Sequence, residues 1–183
     1  MAVTTRKPWT TDELYRLPEG WRYEIDEGDL VIMSPAGWEH SRVVARVTRV
    51  LAAHVDDHRL GQVGAGEAGF RLARHPETLR GADVAFVSAE RLSTRARLKG
   101  FPDVPPDLAV EVHDPSEPDL RRKIDQYLTA GVRSVWVINP DARTLTRHVP
   151  GETPRTWNDP DAVVIEPVLS GFSCRLRDLF DAE

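Results

Sequence analysis

The chain has 183 residues, a net charge of −5, 40% hydrophobic and 29% charged residues, and one cysteine, Cys174. This fits a single soluble domain, 1–183, with a core of its own, while one cysteine excludes an internal disulfide and no run approaches the roughly 20 apolar residues of a membrane helix. The acidic balance argues against a protein that coats nucleic acid by bulk attraction, and without an apolar leader at Met-Ala-Val-Thr-Thr-Arg-Lys-Pro-Trp the expected compartment is the cytoplasm.

The first expected element is a short helix over Thr10 to Leu17, opened by a Thr10/Glu13 capping box and closed by Pro18 and Gly20. Trp21 to Asp26 and Asp29 to Met33 read as strands joined through Glu27-Gly28. Residues 38–58 read as a long helix, because Val43, Val44, Val47, Val50, Leu51 and Val55 recur near helical spacing. Arg42, Arg46 and Arg49 share another of its faces, and Gly61 is the expected stop. Gln62 to Glu67 and Gly69 to Arg74 read as a second strand pair, followed by a polar loop and a short strand, Asp83 to Val87. Residues 88–105, rich in Arg, Lys and Pro, read as an exposed excursion.

Asp107 to Val112 is the next strand, and residues 118–130 the next helix, with Leu120, Ile124, Tyr127 and Leu128 in one stripe and Gly131 as its stop. Val135 to Ile138 and Arg143 to Val149 read as strands, 150–161 as a loop, Ala162 to Leu169 as a late strand and Leu176 to Phe180 as a closing helix. The fold class is therefore α/β in the mixed α+β sense, a mixed sheet flanked by helices, with a right-handed unit over 107–138 if its strands are parallel. Cys174, between Phe172 and Leu176, reads as a small core residue.

Two acids on strands need explaining. Alternation puts Glu111 with Ala109 and His113 on one face of an otherwise apolar strand, and a buried lone carboxylate is costly unless paired or metal-bound. Asp83 opens its strand, where it can face a cleft. Two carboxylates at adjacent strand ends suit Mg²⁺ or Mn²⁺; equally, Asp83 could cap a turn and Glu111 could pair with an arginine. Lys123, twelve residues after Glu111, could reach back over the strand end or simply be solvated beside Arg121 and Arg122. His40 at the helix start could touch a phosphate or serve as a local hydrogen-bonding residue. The arginine stripe, and Arg91, Arg95, Arg97 and Lys99 in the excursion, could follow a nucleic-acid backbone or face solvent. Gly64 and Gly66 match no phosphate-binding loop.

The ordered set Leu17-Pro-Glu-Gly-Trp-Arg-Tyr-Glu24, Gly28-Asp-Leu-Val-Ile-Met-Ser-Pro35, His40, Ala82-Asp83-Val-Ala-Phe-Val-Ser88, Pro106-Asp107-Leu-Ala-Val-Glu111-Val, Lys123, Tyr127, Ala130-Gly131-Val132 and Val135-Trp-Val-Ile-Asn-Pro140 resembles the Uma-type restriction endonucleases over about residues 10–150. That family resembles in turn the PD-(D/E)XK nucleases. The resemblance implies a restriction-endonuclease-like sheet, DNA as partner, and Mg²⁺ (or Mn²⁺) held by Asp83, Glu111 and the backbone carbonyl of Val112. It implies that Lys123 positions the attacking water and that Glu24 supports the cluster or a second ion. Where the parent motif has lysine two residues after the second acid, this chain has His113, so Lys123 is the substitute. Ala82 stands where the family usually has proline, and Asp114 where it usually has serine. The expected activity is a metal-dependent endodeoxyribonuclease. The alternatives are a catalytically weak or inactive nuclease scaffold acting as a binding module, and a homodimer formed through exposed apolar residues around Trp157 and Val163 to Val168.

Overall fold

The computed structural model describes residues 2–5, 8–18, 21–94, 100–113 and 119–181. In chain order the elements are β1 (Ala2–Thr5), α1 (Thr11–Leu14), β2 (Arg22–Asp26), β3 (Asp29–Met33), α2 (Trp38–His58), β4 (Gly61–Arg74), β5 (Glu77–Ser88) and α3 (Ala89–Thr94). Then come β6 (Leu108–Val112), α4 (Leu120–Thr129), β7 (Ser134–Asn139), β8 (Thr144–His148), β9 (Arg155–Trp157), β10 (Val163–Ile165), β11 (Ser173–Arg175) and a 3-10 turn, Leu176–Leu179. The large sheet runs β1-β3-β2-β5-β6-β7-β8-β9, with β4 also paired to β5; β10 and β11 form a separate ribbon. β6 and β7 are parallel, from Leu108↔Ser134 to Val112↔Ile138, and the other pairings are antiparallel. The sheet is mixed as expected, and β6–α4–β7 is its crossover unit.

Side chains of successive strand residues point to opposite faces, so the sheet carries two apolar surfaces. Val84, Phe86, Leu108, Val110 and Val112 face α2, whose Val43, Val47, Leu51 and Val55 are fully buried at four-residue spacing. Ala85, Val87, Ala109 and Val135 face Ile124 and Tyr127 of α4. A smaller cluster, Leu14, Ile25, Leu30 and Leu79, holds the N-terminal hairpin against β5. Each Val, Leu, Ile or Phe among them contributes about 1.5–3 kcal/mol of burial. Both faces are thus covered, which fixes the middle of β2 and of β5 and the end of β6, where the acids stand.

Several expected boundaries move, for physical reasons. The pair proposed over 62–67 and 69–74 is the single strand β4, bulged between Ala65 and Ala68. β5 begins at Glu77, inside the expected polar loop, because Thr78 and Arg80 are buried and Arg80 is neutralised by Glu24 and Asp26. The late strand contracts to Val163–Ile165, since Glu166 turns inward to accept hydrogen bonds from Ser134 and Trp136, both 2.7 Å. α3 occupies part of the excursion, β9 part of the loop at 150–161, and the closing helix is a 3-10 turn. Arg59, in the left-handed conformation, ends α2 ahead of Gly61. Trp157 and Val164 are buried, which leaves Val163 and Ile165 as the exposed apolar residues of that region. Cys174 packs against the main core, and burial pushes its thiol up to about 12. Among the described residues no helix is long and apolar enough to cross a membrane. Arg95, Arg97, Lys99, Asp114 and Pro115 to Pro118 lie outside the described residues.

Candidate functional site

The site starts from an interruption in strand pairing. β4 covers one edge of β5, while the opposite edge is shared by β2, paired at Leu79, and β6, paired from Val84 to Phe86. Between those two contacts backbone donors lack a strand partner, and buried donors must be satisfied. Carboxylates satisfy them. The Gly81 N–H donates to Glu24 Oε1 at 2.9 Å, and the Val112 N–H donates to Asp83 Oδ2 at 2.7 Å. The fold's own unsatisfied amides therefore set both acids in place.

The β5–β6 register, Val84↔Val110, continued by one step sets Asp83 opposite Glu111, with both side chains on one face. Glu111 is held on both oxygens: Lys123 Nζ donates to Oε2 and the Tyr127 hydroxyl to Oε1, each at 2.8 Å. Lys123 and Tyr127 are four apart on α4, so they reach the strand from one helix face. Lys123 Nζ also lies 3.1 Å from Glu24 Oε1, whose other oxygen accepts from Arg80 at 2.8 Å. Tyr127, Glu111, Lys123, Glu24 and Arg80 thus form one buried chain of alternating donors and acceptors. Burial alone would raise the Glu24 pKa, but Lys123, Arg80 and the Gly81 N–H outweigh it and hold the group below its ordinary value. Burial and the Glu111 carboxylate raise Tyr127 well above its ordinary value, so it stays a donor at neutral pH.

A second cluster meets on Asp83. His40 Nε2 lies 3.2 Å from Asp83 Oδ2, and this hydrogen bond raises the His40 pKa. Glu67 stands on the other side. Sequence reasoning passed over it as an ordinary strand residue. The β4 bulge aims it, with Gly66 at φ 83° and Glu67 itself at φ 65°, a region where only glycine sits without strain. A Cβ on Gly81 would come within 3.2 Å of Glu67 Oε2, so the bare backbone of β5 makes room for this carboxylate. Arg22 pairs with Oε1, while Oε2 is buried without a donor among the described residues. Burial first and the Asp83 charge second push the Glu67 pKa up to about 7; burial opposes ionisation of Asp83 too, but His40, Glu67 and the Val112 N–H keep it low. The signal available in the sequence was the glycine density of Gly64-Ala65-Gly66-Glu67-Ala68-Gly69, which marks a bulge.

Glu67 makes a pH prediction with a definite sign. Its folded pKa, about 7, exceeds its ordinary 4.5, so folding favours the protonated form. Stability from this group is full below pH 4.5 and is lost as pH rises to about 7. Glu67→Gln removes that loss: it should melt with the parent near pH 4 and be more stable by on the order of 2 kcal/mol near pH 8. Melting curves across that range check it, and a gap independent of pH would refute the assignment.

Asp83, Glu67, Glu24 and His40 line a cleft of about 1090 Å³ whose other walls come from β2, α1, α2 and Phe101. Glu111 and Lys123 are not on its wall; they sit behind it, joined to it through Glu24. Val112 enters through its N–H. Of the arginine stripe, Arg42 is held by Glu39 and the Phe180 carbonyl, Arg46 faces Asp181, and Arg49 lines the cleft. Arg91 is tied to Asp107 and to the carbonyls of Pro105, Pro106 and Gly131, which removes it from nucleic-acid contact. Of the two glycines that match no phosphate-binding loop, Gly66 lies in the β4 bulge and Gly64 is paired with Ala85.

A hard divalent cation fits this donor set. Burial and the charge of Asp83 oppose ionisation of Glu67 beside it, and Glu67 Oε2 accepts no hydrogen bond among the described residues. Among the described residues no three His, Cys, Asp or Glu side chains form a ready ligand group. Two carboxylates with the remaining positions left to water and phosphate oxygens is the usual habit of Mg²⁺.

The family described as "Uma2: Putative restriction endonuclease" matches residues 11–177. Among solved structures, one titled as a putative nuclease belonging to DUF820 from Anabaena variabilis ATCC 29413 superposes with a TM-score of 0.80 at 23% identity, covering 94% of this chain and 98% of that one. No curated protein matches the chain.

Proposed function

The chain belongs to the Uma2 family, whose match spans most of its length, and from that premise we propose that it is a divalent-metal-dependent endonuclease that hydrolyses phosphodiester bonds of DNA in the cytoplasm. The observation that carries this reading is the Glu67–Asp83 pair: two acids side by side in a cleft, where burial and the Asp83 charge push the Glu67 pKa up to about 7 in spite of Arg22. Asp83 and Glu67 would hold Mg²⁺ or Mn²⁺ from the cleft side, and Glu111, with the Val112 carbonyl, would join them from the strand side only by releasing Lys123 or Tyr127. The cation supplies a bound water of lowered pKa and neutralises charge on the scissile phosphate.

The chain's own groups have separable tasks in this reading. His40 Nε2 fixes Asp83 Oδ2 from one side and the Val112 N–H fixes it from the other, so one Asp83 oxygen is oriented and the other is left for the cleft. Lys123 holds Glu111 and Glu24 in one cluster from behind, and from there its ammonium would steady the hydrogen-bond frame in which water is activated. Tyr127 fixes the orientation of Glu111.

The test is calorimetric titration with Mn²⁺ of the parent and of Asp83→Asn, combined with nicking of supercoiled plasmid. The parent is expected to bind the ion and nick, and Asp83→Asn to do neither. Equal heats in both proteins would take Asp83 out of the site; ion binding without nicking of any DNA form would favour the inactive scaffold.

A further inference from the structure

Three features of the cleft are not used by the acid cluster. Tyr15 and Trp21 line it yet remain 64% and 59% exposed, unusual for large aromatic side chains at a functional mouth. Tyr15 is backed by Phe101, stacked at 5.3 Å between centroids and 29° between planes. Phe101 is seated on bare backbone: a Cβ on Gly69 would meet its ring at 2.8 Å. The Tyr15 face is therefore supported from behind and offered to the cleft. Arg49 is the third feature. It lines the same cleft, is exposed, and makes no ion pair among the described residues.

We propose that this mouth binds single-stranded or locally unpaired DNA, with bases stacked on Trp21 and Tyr15 and a backbone phosphate on Arg49. The inference rests on the nuclease reading for its choice of nucleic acid and narrows the substrate. Duplex DNA keeps its base faces inside the stack, so exposed aromatic faces have nothing to meet there. Its dense phosphate charge also calls for several cations along the contact. Here Arg22 is taken by Glu67, Arg42 by Glu39, and the chain is acidic overall, with net charge −5. Single strands are gripped in another way, by aromatic stacking with a few backbone contacts, and every base has a face to stack. The cleft joins such a surface directly to the paired acids, so a strand lying on Trp21 and Tyr15 runs past Glu67 and Asp83.

The test is fluorescence anisotropy of labelled oligothymidylate and of a duplex of equal length, in EDTA so that nothing is cleaved. The single strand is expected to bind at least about tenfold tighter than the duplex. Trp21→Ala should weaken it about 5- to 150-fold, the range for loss of one stacked base. Trp21→Phe should retain most of the affinity, and Arg49→Ala should lower the salt slope by about one phosphate contact. Both aromatic residues are exposed, so these variants keep the fold. Duplex binding as tight as single-strand binding, or an unchanged Trp21→Ala, would overturn the inference; so would tight binding of oligouridylate in place of oligothymidylate. Because binding is read without turnover, a chain that grips the single strand but never nicks leaves this inference standing and removes the nuclease reading. A chain that nicks duplex without discrimination does the reverse.

Discussion

Lys123→Ala is expected to destabilise the protein by about 3–5 kcal/mol, against a total of roughly 5–15 kcal/mol for a domain of this kind. The side chain is 3% exposed, and its ammonium is shared between Glu111 Oε2 at 2.8 Å and Glu24 Oε1 at 3.1 Å. Taking it away leaves two buried carboxylates without their common cation and opens the space filled by its four-carbon stem. The large effect comes from the stranded charges, so the size of the loss is a statement about them. Lys123→Met keeps the stem and loses only the charge, and should fall nearly as far. Adding Glu111→Gln to Lys123→Met removes one stranded charge and should recover a large part of the loss. Urea unfolding of the four proteins reads this directly. A Lys123→Met variant within about 1 kcal/mol of the parent would show that the charge chain carries little weight. Cleavage by Lys123→Met alone, assayed where its unfolding curve shows it folded, separates structure from chemistry: a folded variant that does not cleave would assign Lys123 a part in the reaction as well.

Asp83→Asn is expected to reduce Mn²⁺-supported cleavage at least about 1000-fold, equivalent to about 4 kcal/mol in the barrier, with little change in melting temperature. The two outcomes differ because the side chain does two jobs. Its Oδ2 accepts the Val112 N–H and meets His40, and an asparagine oxygen can still accept that N–H. What the amide cannot do is carry the negative charge beside Glu67. Removing that charge also relieves Glu67, since Asp83 stands directly after burial among the causes that raise it, so Glu67 should ionise at lower pH in this variant. Single-turnover cleavage at saturating Mn²⁺, with circular dichroism as the fold control, decides the matter. Cleavage within tenfold of the parent would move the reaction away from this acid.

Much of the fold follows from periodicity that needs no partner to be seen. The valines of α2 at 43, 47 and 55 with Leu51, and the apolar runs of β6 and β7, declare the faces they bury. The acids Glu24, Asp83 and Glu111 and the distant Lys123 were equally readable, through an ordered resemblance, and the structure brings all four into one connected region. The stretch before Asp83 was misread because Thr78, Arg80 and Gly81 look like loop. Whether an arginine lies in solvent or in a core depends on whether an acid meets it there, and Glu24 is 56 residues away in sequence. The arginine stripe of α2 failed for the same reason, since Glu39, the Phe180 carbonyl and Asp181 claim two of its three members.

Local order along the chain was enough to determine the type of most elements, the faces they bury and which acids stand on strands, because each depends on side chains a few residues apart. Tertiary structure alone decided that Glu67 joins Asp83, that Glu111 is enclosed by Lys123 and Tyr127, and that Tyr15 rests on Phe101. Those outcomes turn on a bulge in β4, on the gap where β2 and β6 leave β5 uncovered, and on a helix reaching back over its own strand. A carboxylate's protonation and partners depend on charges and desolvation within a few ångströms, and that proximity exists only once the chain has folded.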